Sequence, residues 1–153
     1  MSINMHAYKA IEAVVGSNYI TDDPVDCEGY RSGPGGYESG TGYERVMTKI
    51  AGAVVMPRTT EDVQKIVKIC RRYKLPFVPY STGFYGPRSH PHVEHELIID
   101  MKRMRDFSID PKHFSITVQP GVIYSQIQQI CFENGAYVVI GGGGAQTSAV
   151  ANL

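Results

Sequence analysis

The chain has 153 residues, a length that suits one domain with a buried core. Its 15 Lys and Arg balance its 15 Asp and Glu, so nothing favours a nucleic-acid partner, which would call for a basic surface. No apolar run reaches the roughly 18–20 residues that span a bilayer, so we expect no membrane span. The first residues also lack a basic segment followed by an apolar block. We therefore expect no secretory signal and a cytoplasmic protein.

The first third of the chain combines one periodic segment with one irregular segment. Apolar spacing over Met5–Val15 predicts a short amphipathic helix that ends at Gly16. Residues 21–43 are rich in Gly, Tyr and acidic side chains and show no periodicity, which predicts a long loop. Within it, Cys27 is the one cysteine that we suspect of reactivity.

A βαβ unit is predicted from residue 53 to residue 86. The apolar run Ala53–Met56 precedes a helix capped at Thr59 or Thr60. A second apolar run, Phe77–Tyr80, opens directly into the small-residue loop Ser81-Thr82-Gly83. Exposed backbone N–H groups attract anions, so a phosphate-bearing ligand is the natural candidate for this loop. The predicted buried face of the helix carries Val63, Ile66, Val67 and Cys70.

The second half of the chain predicts further short elements and a second glycine-rich loop. The run Gly141–Gly144 is another place where backbone can approach a ligand closely. Neither loop follows the G-x-G-x-x-G or G-x-x-x-x-G-K-[ST] pattern, which disfavours a Rossmann site and a P-loop. Thr147 or Ser148 is predicted to cap a last helix. Apolar patterning predicts strands or extended segments at Glu96–Asp100, Phe107–Asp110, Phe114–Gln119 and Tyr137–Ile140, and a helix at Ile123–Glu133, which buries Cys131.

Three histidines, His90, His92 and His95, lie close together with Glu94. Imidazole and carboxylate suit zinc or iron. Pro91 stiffens the segment, which we expect to be a surface loop, and no second His/Cys group supports a metal. We therefore expect no metal site, while contact of a histidine with a flavin or a substrate stays open.

The order of these motifs resembles the N-terminal part of the FAD-binding domain of the vanillyl-alcohol oxidase / p-cresol methylhydroxylase flavoprotein family. The resemblance covers most of residues 50–153. It implies an α+β, PCMH-type FAD-binding fold with a βαβ-containing first subdomain and the beginning of a second α+β subdomain. It also divides the chain into an N-terminal helix and Gly/Tyr-rich loop, residues 1–48, and an incomplete FAD-binding part, residues 49–153. The matching pieces are AVVMPRTTEDVQKIVKIC, PFVPYSTGFYG, ELIIDMKRM, FSITVQPGVIYSQIQQICFENG and SAVAN.

The resemblance further implies that FAD is the cofactor and that its isoalloxazine ring carries the redox chemistry. The first loop would cradle the pyrophosphate, and the later segments would line the cofactor further along. The residues implied in binding are Tyr80, Ser81, Thr82, Gly83, Phe84, Tyr85, Gly86, Pro120, Gly121, Gly141, Gly142, Gly143, Gly144, Thr147 and Ser148.

The sequence departs from the family in three respects. After Gly83 it reads FYGPR, without the further asparagine and glycines usual there. The loop has no histidine where some relatives attach FAD covalently. Family members also continue for several hundred residues, which carry the catalytic groups. We therefore expect a fragment or split subunit, with catalytic residues outside the chain.

The leading hypothesis is the FAD-binding part of an oxidoreductase. It accepts a hydride from a small organic substrate, such as a 4-alkylphenol or a 2-hydroxy acid. The expected partner is the remainder of the flavoprotein or another subunit. The alternative is a non-catalytic FAD-fold scaffold or interaction subunit of a larger complex, and a metal protein built on the three histidines is a weaker third hypothesis.

Overall fold

The computed structural model describes residues 3–31, 49–83, 90–139 and 144–150. They form an α+β fold, as predicted. Short 3-10 turns lie at Ser17–Tyr19 and Met101–Arg103. The helices and strands are α1 (Met5–Val15), β1 (Ile20–Thr21), α2 (Pro24–Glu28), β2 (Ala53–Val55), α3 (Thr60–Tyr73), β3 (Phe77–Tyr80), β4 (Leu97–Asp100), β5 (Phe107–Asp110), β6 (Ser115–Val118) and α4 (Tyr124–Glu133).

Four strands form one sheet in the order β1-β2-β4-β3. Strands β2 and β3 are both parallel to β4, and β1 is antiparallel to β2. The predicted βαβ unit therefore exists, but its two strands are not neighbours. Strand β4 comes later in the chain and lies between them, because its four residues are buried and need cover on both sides.

Helices α1 and α3 pack against one face of this sheet around a core that includes Ile11, Ile66 and Ile99. The opposite face carries Val54 and Ile98, which pack against Cys27. Helix α4 and the antiparallel β5–β6 hairpin form a separate apolar cluster around Val122 and Ile127. We call α4 together with the β5–β6 hairpin the hairpin unit. The four-stranded sheet with its helices and the hairpin unit correspond to the two predicted α+β subdomains.

The helix boundaries follow local hydrogen bonds. Asn4 accepts from the backbone N–H groups of His6 and Ala7 and so begins α1. Thr59 and Asp62 form a reciprocal capping box, which decides for Thr59 over Thr60 as the N-cap of α3. Among the described residues, no helix has the length and apolar character that a membrane crossing requires.

Three local predictions were wrong. Residues 24–28 form α2 inside the predicted loop, because Asp23 accepts from the N–H groups of Val25 and Asp26, with proline at the first helical position. The buried face of α3 is also narrower than predicted. Only Ile66 and Cys70 are buried, whereas Val67 is 36% exposed and Val63 is half-buried, since α3 meets the sheet and α1 along one narrow stripe.

The chain after α4 also differs from prediction. Residues 137–139 form no strand, because no other described segment pairs with them. Ser148 forms an antiparallel bridge with Ile123. The helix predicted to begin at Thr147 or Ser148 extends into residues 151–153, which lie outside the described residues. A strand exists only with a hydrogen-bonded neighbour, and apolar alternation alone does not supply one.

Candidate functional site

The carboxyl ends of β2, β3 and β4 lie at one edge of the sheet, because these strands run parallel. Ligands of open α/β sheets bind at this kind of edge. The predicted loop Ser81-Thr82-Gly83 follows β3 there, and the turn Met101–Arg103 follows β4. Arg103 reaches across and donates from Nη1 to the carbonyl oxygen of Met56 at 2.8 Å, which ties the end of β2 to the same edge.

The loop after β3 has a shape that only glycine permits. Gly83 has a φ of +69°, and a Cβ on it would overlap the Tyr80 hydroxyl. Ser81 and Thr82 are half-buried, and among the described residues their hydroxyls form no hydrogen bond. The loop therefore presents hydroxyl and backbone donors that an anionic ligand can use.

Pro120 and Gly121 lie against the turn that follows β4. The Gly121 N–H donates to the Met104 carbonyl oxygen at 2.8 Å. A Cβ on Gly121 would lie 2.6 Å from that oxygen and 2.7 Å from the Met101 carbonyl oxygen. The missing side chain thus allows the hairpin unit to approach the edge of the sheet, and it brings the second predicted segment beside the first.

The third predicted segment is joined to Pro120 of the second one through Ser148. The Ser148 hydroxyl donates to the Pro120 carbonyl oxygen at 2.7 Å, and the Thr147 hydroxyl donates to the Gly144 carbonyl oxygen at 2.7 Å. Both side chains are buried. The Ser148 hydroxyl therefore ties the end of the described chain to Pro120, and the Thr147 hydroxyl closes the turn that begins at Gly144. Gly144 has a φ of +83°.

Six predicted site residues lie outside the described residues: Phe84, Tyr85, Gly86, Gly141, Gly142 and Gly143. The FYGPR segment, on which the scaffold alternative rests, also lies outside the described residues. The described remainder of the predicted set is Tyr80, Ser81, Thr82, Gly83, Pro120, Gly121, Gly144, Thr147 and Ser148. Tyr80–Gly83 lie at the end of β3, Gly121 lies against the turn after β4, and Ser148 is bonded to Pro120. Thr147 and Gly144 lie beside the start of α4.

Sequence reasoning missed a polar cluster at this edge, which we call the Asp100 cluster and which consists of Tyr30, Tyr80, Asp100 and Lys102. Asp100 is fully buried, and the Tyr30 hydroxyl donates to its Oδ2 at 2.5 Å. The Lys102 ammonium lies 3.1 Å from the same oxygen. Asp100 ends an apolar strand, so its position in the sequence could have indicated a site residue. Its partner Tyr30 is 70 residues away, and no sequence pattern links the two residues.

The tyrosines of the Asp100 cluster are neutral phenols. Burial, and then the hydrogen bond to Asp100, raises the pKa of Tyr30 far above its usual range. Burial also raises the pKa of Tyr80. Their ring centroids are 4.9 Å apart in an edge-to-face arrangement. Both rings therefore serve as packing surfaces, and the Tyr30 phenol is also the hydrogen-bond donor to Asp100.

His90 and His92, two of the three clustered histidines, have different hydrogen-bond partners. His90 is buried and donates from Nδ1 to the Tyr30 carbonyl oxygen at 2.6 Å, with its ring 5.6 Å from that of Tyr80. Glu96 accepts from the backbone N–H of His92 at 2.7 Å. In the parts of the chain that the structure describes, no group of three or more His, Cys, Asp or Glu side chains could hold a metal ion. His90 thus helps to position Tyr30.

The suspicion that Cys27 is reactive was wrong. The Cys27 side chain is 1% exposed and packs on the sheet. Burial, followed by the charge of Asp22, raises the pKa of its thiol to about 11. Cys70 and Cys131 are buried, as predicted.

We expect the folded protein to resist thiol labelling. A thiol with a pKa near 11 holds almost no thiolate at pH 8, and the thiolate is the nucleophile. Ellman's reagent at pH 8 should therefore titrate the cysteines within seconds only after a denaturant is added. Rapid labelling of Cys27 in native buffer, identified by peptide mapping, would contradict the buried position.

Comparisons with known proteins identify the family and the fold. The profile of the family described as "FAD binding domain" matches residues 51–152. The 4-cresol dehydrogenase flavoprotein subunit of Pseudomonas putida is 32% identical over 108 residues, which are 64% of this chain and 20% of that protein. A glycolate oxidase subunit of Bacillus subtilis is 35% identical over 72 residues, which are 46% of this chain and 15% of that protein.

A solved structure also matches. It is 4-ethylphenol oxidase from Gulosibacter chungangensis, with a TM-score of 0.78 and 25% identity, covering 97% of this chain and 28% of that one. The family match and the fold define a flavoprotein cofactor domain. The chain belongs to the FAD-binding domain family of PCMH-type flavoproteins, and FAD is its cofactor. It spans about a fifth of the length of the cresol dehydrogenase subunit.

Proposed function

We propose that this chain supplies the diphosphate-binding part of an FAD-dependent oxidoreductase. One observation carries the proposal: separate backbone segments are linked in series at the edge formed by β3 and β4. Ser81–Gly83 follow β3, Gly121 lies against the turn that follows β4, and the Ser148 hydroxyl donates to the Pro120 carbonyl oxygen. Small residues let these backbone segments approach closely, as at Gly121, and such segments suit a long ligand that carries phosphates.

Each segment has a proposed task. The N–H groups and hydroxyls of Ser81 and Thr82 bind the phosphate oxygens, and Gly83 gives the loop its bend. Gly121 lets the hairpin unit approach, and Ser148 fixes Pro120 through its hydrogen bond. Bound FAD supplies the redox chemistry, since its isoalloxazine ring accepts a hydride from the substrate.

The substrate proposed is a small oxidisable organic molecule, either a 4-alkylphenol or a 2-hydroxy acid. Relatives named for cresol dehydrogenation and glycolate oxidation support these two classes. The catalytic groups would lie in further flavoprotein sequence or in a second subunit. A division at residues 48 and 49 and a cytoplasmic location belong to the same proposal, and three unpaired cysteines support the location.

FAD binding tests the proposal directly. We expect the protein purified from its native source to show flavin absorption and to release FAD on denaturation. Titration calorimetry with FAD should give saturable, one-to-one binding. Replacing Gly83 with alanine should weaken this binding at least tenfold, since the loop must change shape when the new Cβ meets Tyr80.

The matched control is Gly135→Ala. This glycine also has a φ of +69°, but open space surrounds the position of its Cβ and it lies after α4. The control therefore has a similar backbone strain and should keep the FAD affinity. A purified wild-type protein that carries no flavin and binds no added FAD would remove the proposed function.

A further inference from the structure

The Asp100 cluster raises a physical question. A fully buried carboxylate is costly unless hydrogen bonds and an opposite charge compensate for lost hydration. Asp100 has three such partners: the Tyr30 hydroxyl, the backbone N–H of Lys102 at 2.9 Å and the Lys102 ammonium at 3.1 Å. Two of the three come from Lys102, so Asp100 fixes both the backbone and the ammonium of this residue.

The aromatic rings restrict the Lys102 ammonium further. Nζ lies 5.2 Å from the ring centroid of Tyr30 and 5.1 Å from that of Tyr80. At these distances both rings attract a cation. A free lysine side chain has many rotamers, and here the contacts with Asp100 and the two rings have already restricted them. The cation is therefore positioned before any ligand arrives.

The two charges of the pair differ in access to solvent. The side chain of Lys102 is 42% exposed, whereas that of Asp100 is 0% exposed. A ligand approaching the edge therefore meets the cation, with the carboxylate behind it. An ammonium has three N–H donors, and the bond to Asp100 uses one of them.

The cation also lies beside the proposed phosphate loop. Tyr80 is the last residue of β3, and Ser81–Gly83 follow it directly. The Tyr80 hydroxyl reaches so close to Gly83 that no Cβ fits there. The ring that holds the Lys102 ammonium is thus the ring that shapes the loop.

We propose that Lys102 is a pre-positioned cationic anchor for the diphosphate group of the ligand bound at Ser81–Gly83, with Asp100 and Tyr30 as the residues that position it. This inference rests on the proposed function. It adds a charged side chain to a site otherwise made of backbone and hydroxyl groups. The competing explanation is structural: Lys102 only neutralises Asp100.

The test compares ligands with and without phosphate. Titration calorimetry on the full-length protein would measure the affinities for ADP and adenosine. In Lys102→Met, which keeps the length of the side chain, the ADP affinity should fall about tenfold, since charge-assisted hydrogen bonds are lost. The adenosine affinity should stay within a factor of two. Lys102→Arg should retain most of the ADP affinity.

Lys68→Met is the matched control, because Lys68 lies on the exposed face of α3 and its replacement removes the same charge. It should leave both affinities unchanged. Equal ADP affinity in wild type and Lys102→Met, with FAD still bound by wild type, would overturn the anchor and leave the proposed function standing. Equal losses for ADP and adenosine would assign Lys102 a structural role. A wild type that binds neither FAD nor ADP would remove both proposals, and one that binds FAD but not ADP would remove only the anchor.

Discussion

Replacement of Asp100 by alanine is expected to lower the free energy of unfolding by about 3 kcal/mol. The change removes the acceptor for the Tyr30 hydroxyl and for both donors of Lys102. The half-buried Tyr30 phenol would then lack its partner, and loss of a hydrogen bond to a charged group costs roughly 1.5–3 kcal/mol. Urea unfolding, followed by circular dichroism, measures the loss as a lower midpoint with an unchanged slope.

Asp106→Ala provides the comparison. Asp106 is exposed, and its hydrogen bonds with Gln119 use only its backbone: its N–H donates to the Gln119 side chain, and its carbonyl oxygen accepts from the Gln119 N–H. A surface change of this kind is expected to stay within about 0.5 kcal/mol. If both alanine variants lose equally little stability, the buried hydrogen bonds of Asp100 do not contribute as the structure indicates.

Gly121→Ala is expected to cost about 3 kcal/mol and to weaken FAD binding as well. The new Cβ would lie 2.6 Å and 2.7 Å from two carbonyl oxygens of the 101–104 turn. Backbone atoms cannot rotate away as a flexible side chain can, so the hairpin unit must shift from the edge of the sheet. Urea unfolding measures the stability, and calorimetry measures the affinity.

Gly135→Ala separates contact from backbone strain. Its Cβ would have no neighbour within 4 Å, and only the positive φ opposes the change. That strain costs about 1 kcal/mol. Equal destabilisation by the two variants would show that the close approach at Gly121 is not what makes glycine necessary there.

Local elements were the most predictable part of the fold. The boundaries of α1 and the start of α3 follow from apolar spacing and from capping residues that act within three or four positions. The short helix α2 carried a similar local signal in Asp23 and Pro24, which the irregular composition around it concealed.

Pairing between distant segments was not predictable in this way. An apolar run indicates burial but not the neighbour, so β4 could not be placed between β2 and β3 from the sequence. The same limit explains the wrong strand at residues 137–139, where the pattern is apolar but no described segment pairs with it. It also explains the wrong prediction that Val67 is buried, because the exposure of this side chain depends on the width of the contact between α3 and its neighbours.

For the site, the sequence by itself determined the loops: a strand that opens into Ser81-Thr82-Gly83, a Pro-Gly step before α4 and small residues near Ser148. These are local backbone properties, and residue type controls them directly. Only the tertiary structure decided that Gly121 lies against the turn after β4, that Ser148 bonds Pro120, and that Tyr30 and Lys102 contact Asp100. The physical reason is that a buried charge takes its partners from wherever the fold brings the chain, whatever their separation in sequence.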